Sequence, residues 1–325
     1  MKKAWHFIKL SRPLNLLIIA ATLFAMRYWV VYPLLAPKGL EFISSWKLFS
    51  VLVLSIVCIA AAGNIINDYF DTKTDAINKP DRLIVGVKLD RRIALFSHGI
   101  LTFLGLFLAA YYGWQTGSLR FVVLHVFVAI SLWYYSIYFK RETPLGNLVI
   151  ATLTGLVPFT VAFFDVFPLI KQVPEYIKEE MIEQGFSLSF YFKVILFFLL
   201  GFALFAFLGN LIREMYKDLA DLEGDKKSGR RTLPIIWGEN VTLWIIAGLL
   251  IIWTASLLWV EFSVLNTTFS KFYLGLGLWL PMMLSGIIAF RSPKSKTYKL
   301  SATLVKIVLL LGLGFSYFLQ DIILG

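Results

Sequence analysis

Long apolar stretches separated by short polar breaks dominate this chain. Stretches of about 20 residues, enough to cross roughly 30 Å of hydrocarbon, fall at about 14–35, 47–66, 93–112, 119–139, 146–169, 190–212, 241–260, 270–290 and 302–323. They predict nine transmembrane helices: an all-α polytopic membrane protein, with residues 1–325 forming a single domain. The first stretch follows Lys2, Lys3, Lys9 and Arg12. It is too long for a signal-peptide core and has no small-x-small cleavage site, so it reads as a retained first helix. Residues from about 170 to 189 mix acids with spaced apolar residues, and predict a short amphipathic helix on the outer surface.

Composition supports this reading. Of 325 residues, 58% are hydrophobic and only 16% charged, and the mean hydropathy is +0.76. A soluble chain of this length would carry far more charge. The net charge of +11 raises the question of nucleic acid, but topology accounts for it. With nine spans and a cytoplasmic N-terminus, the inside segments hold most of the Lys and Arg, which is the positive-inside pattern and sends the C-terminus outside. The expected location is therefore the cell membrane, with no nucleic-acid partner and no obligatory protein partner. Cys58 is the one cysteine, which excludes a disulfide framework and a thiolate metal site.

Against this apolar background, acids stand out at two membrane exits. The second span runs into Asn64-Ile-Ile-Asn-Asp-Tyr-Phe-Asp-Thr-Lys-Thr-Asp75. Asn67, Asp71 and Asp75 are four apart, so on a helix they share one face. The sixth span runs into a second set, Glu214, Asp218, Asp221 and Asp225, spaced by four, three and four. Bases follow both sets: Lys79, Arg82, Lys88, Arg91 and Arg92 in a loop over about 67–92, then Lys226, Lys227, Arg230 and Arg231 in one over about 213–238. A self-neutralising, solvated loop explains either one alone. It does not explain why acids recur with helical phase at two exits on the same, cytoplasmic, side. Oxygen ligands followed by bases suit Mg²⁺ ions shared with the phosphate oxygens of a diphosphate, and the apolar interior below suits an isoprenyl tail. Cations would then stabilise the departing diphosphate, and aromatic faces the cation-like allylic carbon.

Other polar positions stay open to two readings. Asn15, just inside the first span, is an interhelical hydrogen-bonding group or a ligand contact. Tyr134, Tyr135 and Tyr138 form an interfacial belt or face the substrate. Lys140 and Arg141 are topological anchors or anion contacts. Spans seven to nine read as wall, with Lys306 snorkelling to the cytoplasmic interface. His6, His98 and His125 have no ligand spacing.

Taken together, the nine spans, the Asn67-xxx-Asp71-xxx-Asp75 motif and the Asp221-xxx-Asp225 motif with its basic followers resemble the UbiA superfamily of intramembrane prenyltransferases along essentially the whole chain. The resemblance implies a helical bundle around a lipid-open central cavity and two Mg²⁺ ions bridging the acids to a prenyl diphosphate. It implies that Asn67, Asp71 and Asp75 serve one metal, and Asp221 and Asp225, with Asp218, the other. Arg82 and Lys140 would contact the diphosphate. Asn15, Tyr135, Tyr138, Arg213, Glu214, Asp218 and Arg230 are the further substrate-contact candidates. Arg213-Glu214 stands where quinone-type members commonly have Tyr-Asp. With Lys217-Asp218, Glu223-Gly-Asp225 and Arg231-Thr-Leu-Pro234, it is more similar to the archaeal-type lipid branch, which transfers a geranylgeranyl group to a hydroxyl of geranylgeranylglyceryl phosphate. Arg213 could hold the acceptor's phosphate or pair with a neighbouring acid. An aromatic acceptor in quinone synthesis, and outside the class an acid-gated transporter, are the rival functions. Transport sites usually lie near the bilayer midplane, whereas these acids cluster at one exit.

Overall fold

The computed structural model describes residues 2–78, 80–142, 144–183, 185 and 187–324. Among the described residues, nine helical segments are long and apolar enough to span a membrane. They are α1 (Pro13–Lys38), α2 (Trp46–Phe70), α3 (Arg91–Gln115), α4 (Arg120–Ile137), α5 (Leu145–Ile170), α6 (Leu188–Ala220), α7 (Glu239–Leu265), α8 (Thr268–Arg291) and α9 (Ser295–Ile322). Each matches a predicted span. β-Structure among these residues amounts to two isolated bridges, Val85–Leu89 and Glu142–Arg231.

Local chemistry sets several helix starts. Pro13 occupies the first turn of α1, where its missing N–H costs nothing. The Ser45 hydroxyl accepts from the Leu48 N–H at the head of α2, and the Asp90 carboxylate from the Arg92 N–H at the head of α3. Thr267 and Ser270 form a reciprocal capping box where α8 begins.

Close approach of the spans relies on small residues. On Gly105 of α3, an added Cβ would lie 2.6 Å from the Ile59 side chain and 3.0 Å from the Ser55 carbonyl oxygen of α2. On Gly155 of α5 it would meet the Ala203 carbonyl oxygen of α6 at 2.8 Å. Such sites let helix backbones touch where lipid offers no competing hydrophobic drive.

The half of the bundle away from residues 71–90 contains a buried ion pair. Arg27 of α1 and Asp165 of α5 lie 3.5 Å apart at 1% and 0% side-chain exposure. Ser44 accepts from the Arg27 guanidinium and donates to Asp165, while Phe42 and Phe49 sandwich the guanidinium at 4.2 Å each. Both charged residues lie in π-helical turns, Met26–Val31 and Ala162–Val166. The wider turn swings each side chain into the bundle, so the pair pins α1, α5 and the α1–α2 loop together.

The helix Glu175–Glu183 forms as expected but does not merely rest on the surface. Val173, Ile177 and Met181 are buried in the main hydrophobic core, so its apolar face belongs to the protein interior.

Candidate functional site

Two helix ends build the site. The helix α2 stops at Phe70, and Asp71 caps it with its N–H on the Asn67 carbonyl oxygen. The short helix Thr72–Asn78 resumes at once, and the Asp75 N–H bonds to the Asp71 carbonyl oxygen. The end of α6 repeats the arrangement: Asp221 caps it from the Lys217 carbonyl oxygen, and Asp225 follows in the helix Leu222–Lys227 on the Asp221 carbonyl oxygen. The acids were expected on single continuous helices. Each run instead breaks at its central acid, but the i→i−4 bond across each break keeps the four-residue phase, and Asn67, Asp71, Asp75, Asp218, Asp221 and Asp225 all face one cavity.

The two short helices pack directly on each other, which proves that both acid-rich loops lie at the same end of the bundle. Gly224 is the contact point. A Cβ there would fall 1.7 Å from Asn78 Oδ1, so a larger residue requires the Asn78 side chain to swing away or the helix to shift.

Bases then close the site. Lys140, in the turn Phe139–Arg141 between α4 and α5, donates to Asn67 Oδ1 at 2.8 Å and to the Asp71 carboxylate. Arg230 bridges Asp71 and Asp225, the latter at 3.3 Å. Gly229, at φ 72°, turns the chain so that the Arg230 N–H reaches back to the Asp225 carbonyl oxygen. The Glu142–Arg231 bridge fixes this segment beside the one carrying Lys140. Burial alone would raise the Asp71 carboxyl, but Lys140 and Arg230 outweigh it and hold the group below its ordinary range. Burial pushes Asp225 up to about 6, with Arg230 opposing and Asp221 reinforcing the rise.

Beneath this mouth lies a cavity of about 860 Å³. Its wall along α5 runs from Asn147 to Phe164, roughly 25 Å at 1.5 Å per residue. The deep part is apolar, lined by Leu132, Leu153, Phe202, Phe205 and Leu313 among others. Tyr135 faces it with Lys140 5.9 Å from its ring. Tyr138 does not: α4 ends at Ile137, Tyr138 departs from helical geometry at φ −119°, and its ring packs on Phe139 with 56% of the residue exposed. The Arg82 side chain, expected on the diphosphate, lies outside the described residues.

Asn15, Arg213 and Glu214 also line the cavity. Asn15 accepts a 3.5 Å hydrogen bond from Lys306. Glu214 carries two cations, Arg213 at 3.0 Å and Lys217 at 2.7 Å. Lys306 belongs to the site and not to a wall, since α9 turns it inward together with Leu309 and Leu313. Sequence reasoning also missed Arg12, paired with Asp68, and Asn147, which donates to Asp218 at 2.7 Å. A polar residue inside an apolar run was the available signal for Asn147 and Lys306.

The sequence profile of the UbiA prenyltransferase family matches residues 28–310. This chain belongs to that family. The protein is a UbiA prenyltransferase and a multi-pass integral membrane protein. Among its relatives is the digeranylgeranylglyceryl phosphate synthase of Methanothermobacter thermautotrophicus, 32% identical over 246 residues, or 74% of this chain and 72% of the relative. Among solved structures, a digeranylgeranylglyceryl phosphate synthase superposes with TM-score 0.61 at 22% identity, covering 98% of this chain and 99% of the other. A UbiA homologue from Archaeoglobus fulgidus bound to DMAPP and Mg²⁺ gives TM-score 0.60 at 18% identity, covering 97% and 99%. At those identities the two structures speak for the fold.

The donor set of this UbiA prenyltransferase fits a hard divalent cation. Five carboxylates and the Asn67 amide converge at one end of the cavity, all oxygen donors, with Lys140 and Arg230 as the facing cations. Among the described residues no group of three carboxylates forms a ready-made metal shell. The two motifs are better described as opposed half-shells, to be completed by water and phosphate oxygens as Mg²⁺ prefers.

Proposed function

We propose that this protein transfers a geranylgeranyl group from geranylgeranyl diphosphate to a hydroxyl of geranylgeranylglyceryl phosphate, in a Mg²⁺-dependent reaction on the cytoplasmic side of the membrane. The observation that carries the donor half is the joining of both acid motifs with Lys140 and Arg230 over a deep apolar cavity. A diphosphate suits the mouth and a long prenyl tail suits the shaft below. The naming of the relative from Methanothermobacter thermautotrophicus supports the acceptor, and so does the cation Arg213 where a phenolic acceptor needs none.

Asn67, Asp71 and Asp75 would hold one metal ion, and Asp218, Asp221 and Asp225 the other. Bound Mg²⁺ supplies Lewis-acid stabilisation of negative charge on the leaving diphosphate. Lys140 and Arg230, already converging on Asp71, are placed to hold diphosphate oxygens as that charge builds. The C–O bond to diphosphate breaks with its electron pair leaving on oxygen, and the Tyr135 ring stabilises the cation-like allylic carbon. The acceptor hydroxyl oxygen forms the new ether bond to that carbon, and its proton passes to the departing diphosphate. The apolar shaft excludes water that would otherwise capture the same carbon. The orientation, with the site on the cytoplasmic face, rests on the basic residues gathered at the same end of the spans.

The test is mass spectrometry of products formed by the purified protein in lipid nanodiscs, given geranylgeranyl diphosphate, Mg²⁺ and a panel of acceptors. A digeranylgeranyl ether of glycerol phosphate is the expected product. Product with an aromatic acid alone would overturn the acceptor reading, and Mg²⁺-dependent diphosphate release surviving both Asp71→Ala and Asp221→Ala would overturn the enzyme site.

A further inference from the structure

Charged side chains crowd the cavity mouth, and their pairing is uneven. Lys140 and Arg230 are engaged with Asp71, and Arg230 also with Asp225. Arg12 is engaged with Asp68, and Arg213 and Lys217 share Glu214. Lys306 has no carboxylate partner among the described residues. A lysine left without a carboxylate inside an apolar span is costly.

We propose that Arg213 and Lys306, supported by Arg12, Lys217 and Asn15, form a phosphate-monoester site that holds the head of the prenyl acceptor. This rests on the lipid-phosphate reading above and names the residues that would enforce it. Three spans that are remote in sequence deliver the cluster: Arg12 and Asn15 at the head of α1, Arg213 and Lys217 at the end of α6, and Lys306 from α9. Its internal pairing is incomplete. One carboxylate, Glu214, serves both Arg213 and Lys217. Among the described residues the hydrogen-bond partner of Lys306 is the neutral Asn15 amide, and no acid pairs with it. Lys306 also lies roughly 16 Å along α9 from its Ser295 start at 1.5 Å per residue, and it lines the same cavity as Arg213, where like charges repel. A dianionic phosphate resolves that repulsion with charge-assisted hydrogen bonds, to which the planar Arg213 fork is suited. A monoanionic aromatic acid would offer Arg213 and Lys306 half that charge.

Arg12 adds a second sign of a built site. It takes φ 57°, ψ 63°, directly before Pro13. That left-handed backbone is strained for a residue with a side chain, and it persists where surroundings hold it. Here the Asp68 ion pair does so, keeping the guanidinium at the cavity mouth. Asn67 donates both to Asp68, the partner of Arg12, and to Asp71, so the two charge clusters adjoin. A phosphate held there would place its own glycerol in the same cavity as the acid motifs that would hold the donor.

The test uses full-length protein in nanodiscs and isothermal titration calorimetry with dodecyl phosphate, in EDTA so that metal-bridged binding is absent. The wild type is expected to bind dodecyl phosphate and not dodecanol. Lys306→Met and Arg213→Gln are each expected to weaken it by about 10-fold or more, the worth of one charge-assisted hydrogen bond, and Lys306→Arg to keep most of the affinity. Binding of geranylgeranyl diphosphate with Mg²⁺ serves as the folding control and is expected to change little in Lys306→Met. Unchanged dodecyl phosphate affinity in both variants overturns the proposal. An equal loss of geranylgeranyl diphosphate binding also overturns it, since the cluster would then serve the donor. If dodecyl phosphate behaves as expected while no glycerol phosphate lipid is prenylated, the phosphate site stands and the proposed acceptor falls.

Discussion

Alanine at Gly224 tests whether the two acid motifs work as one site. An added Cβ would lie 1.7 Å from Asn78 Oδ1 and 2.3 Å from Asn78 Cγ, whereas non-bonded carbons pack at roughly 3.5–4.0 Å. One partner must therefore give way by more than an ångström. Either Asn78 swings off the cavity wall or the helix Leu222–Lys227 lifts, taking Asp225 with it. Overpacking of this kind costs about 1–3 kcal/mol. Replacing a helical glycine by alanine returns about 1 kcal/mol, so stability should fall by about 2 kcal/mol at most. Catalysis is more exposed, because a displacement of about 1 Å can cost about 100-fold in rate. Gly224→Ala is thus expected to lose about 10- to 100-fold in kcat, measured as diphosphate release at saturating donor and Mg²⁺, with only a small change in thermal unfolding. Removing the obstacle should reverse it: Gly224→Ala with Asn78→Gly should match Asn78→Gly alone. Full activity in Gly224→Ala, or a double variant no more active than Gly224→Ala alone, would refute the steric argument.

Other outcomes follow from the same geometry. Asp71→Ala and Asp221→Ala should each lower diphosphate release by about 100-fold or more, the scale of losing a preorganised electrostatic contact, and chelation of Mg²⁺ should abolish turnover that added Mg²⁺ then restores. Tyr135→Ala should reduce kcat by about 2- to 30-fold, the range of a cation–π contact, whereas Tyr138→Ala should leave it unchanged; equal effects in steady-state kinetics would contradict the placement of these rings. Asp165→Leu should destabilise the protein by about 3–5 kcal/mol by stranding Arg27, and Arg27→Met with Asp165→Leu should recover most of that loss in thermal unfolding followed by fluorescence.

Much of the architecture is legible in the chain because a bilayer leaves few choices. Backbone polar groups in hydrocarbon must be satisfied within each segment, so an apolar run of the right length becomes a helix whatever its neighbours do. All nine predicted spans appear for that reason. The acid motifs were legible too, since carboxylates at helical spacing next to such runs have few structural uses. Helix termination was less visible. Tyr135 and Tyr138 would share a face on a continuous helix, but α4 ends between them and sends one ring inward and the other out. That ending depends on how the Lys140 turn packs, not on the tyrosines themselves.

The amino-acid sequence by itself determined the number of spans, the two sets of acids and their helical phase, because each rests on interactions within a few residues. The tertiary structure alone decided which charges meet. Arg230 reaches Asp71 across 159 positions and Lys306 reaches Asn15 across 291, and no local periodicity encodes such distances. It also decided that Gly224 lies against Asn78 and that Lys306 joins the charged lining of the cavity. Those features depend on how whole helices pack, where a single missing side chain permits contact and a single inward lysine changes the charge of a wall.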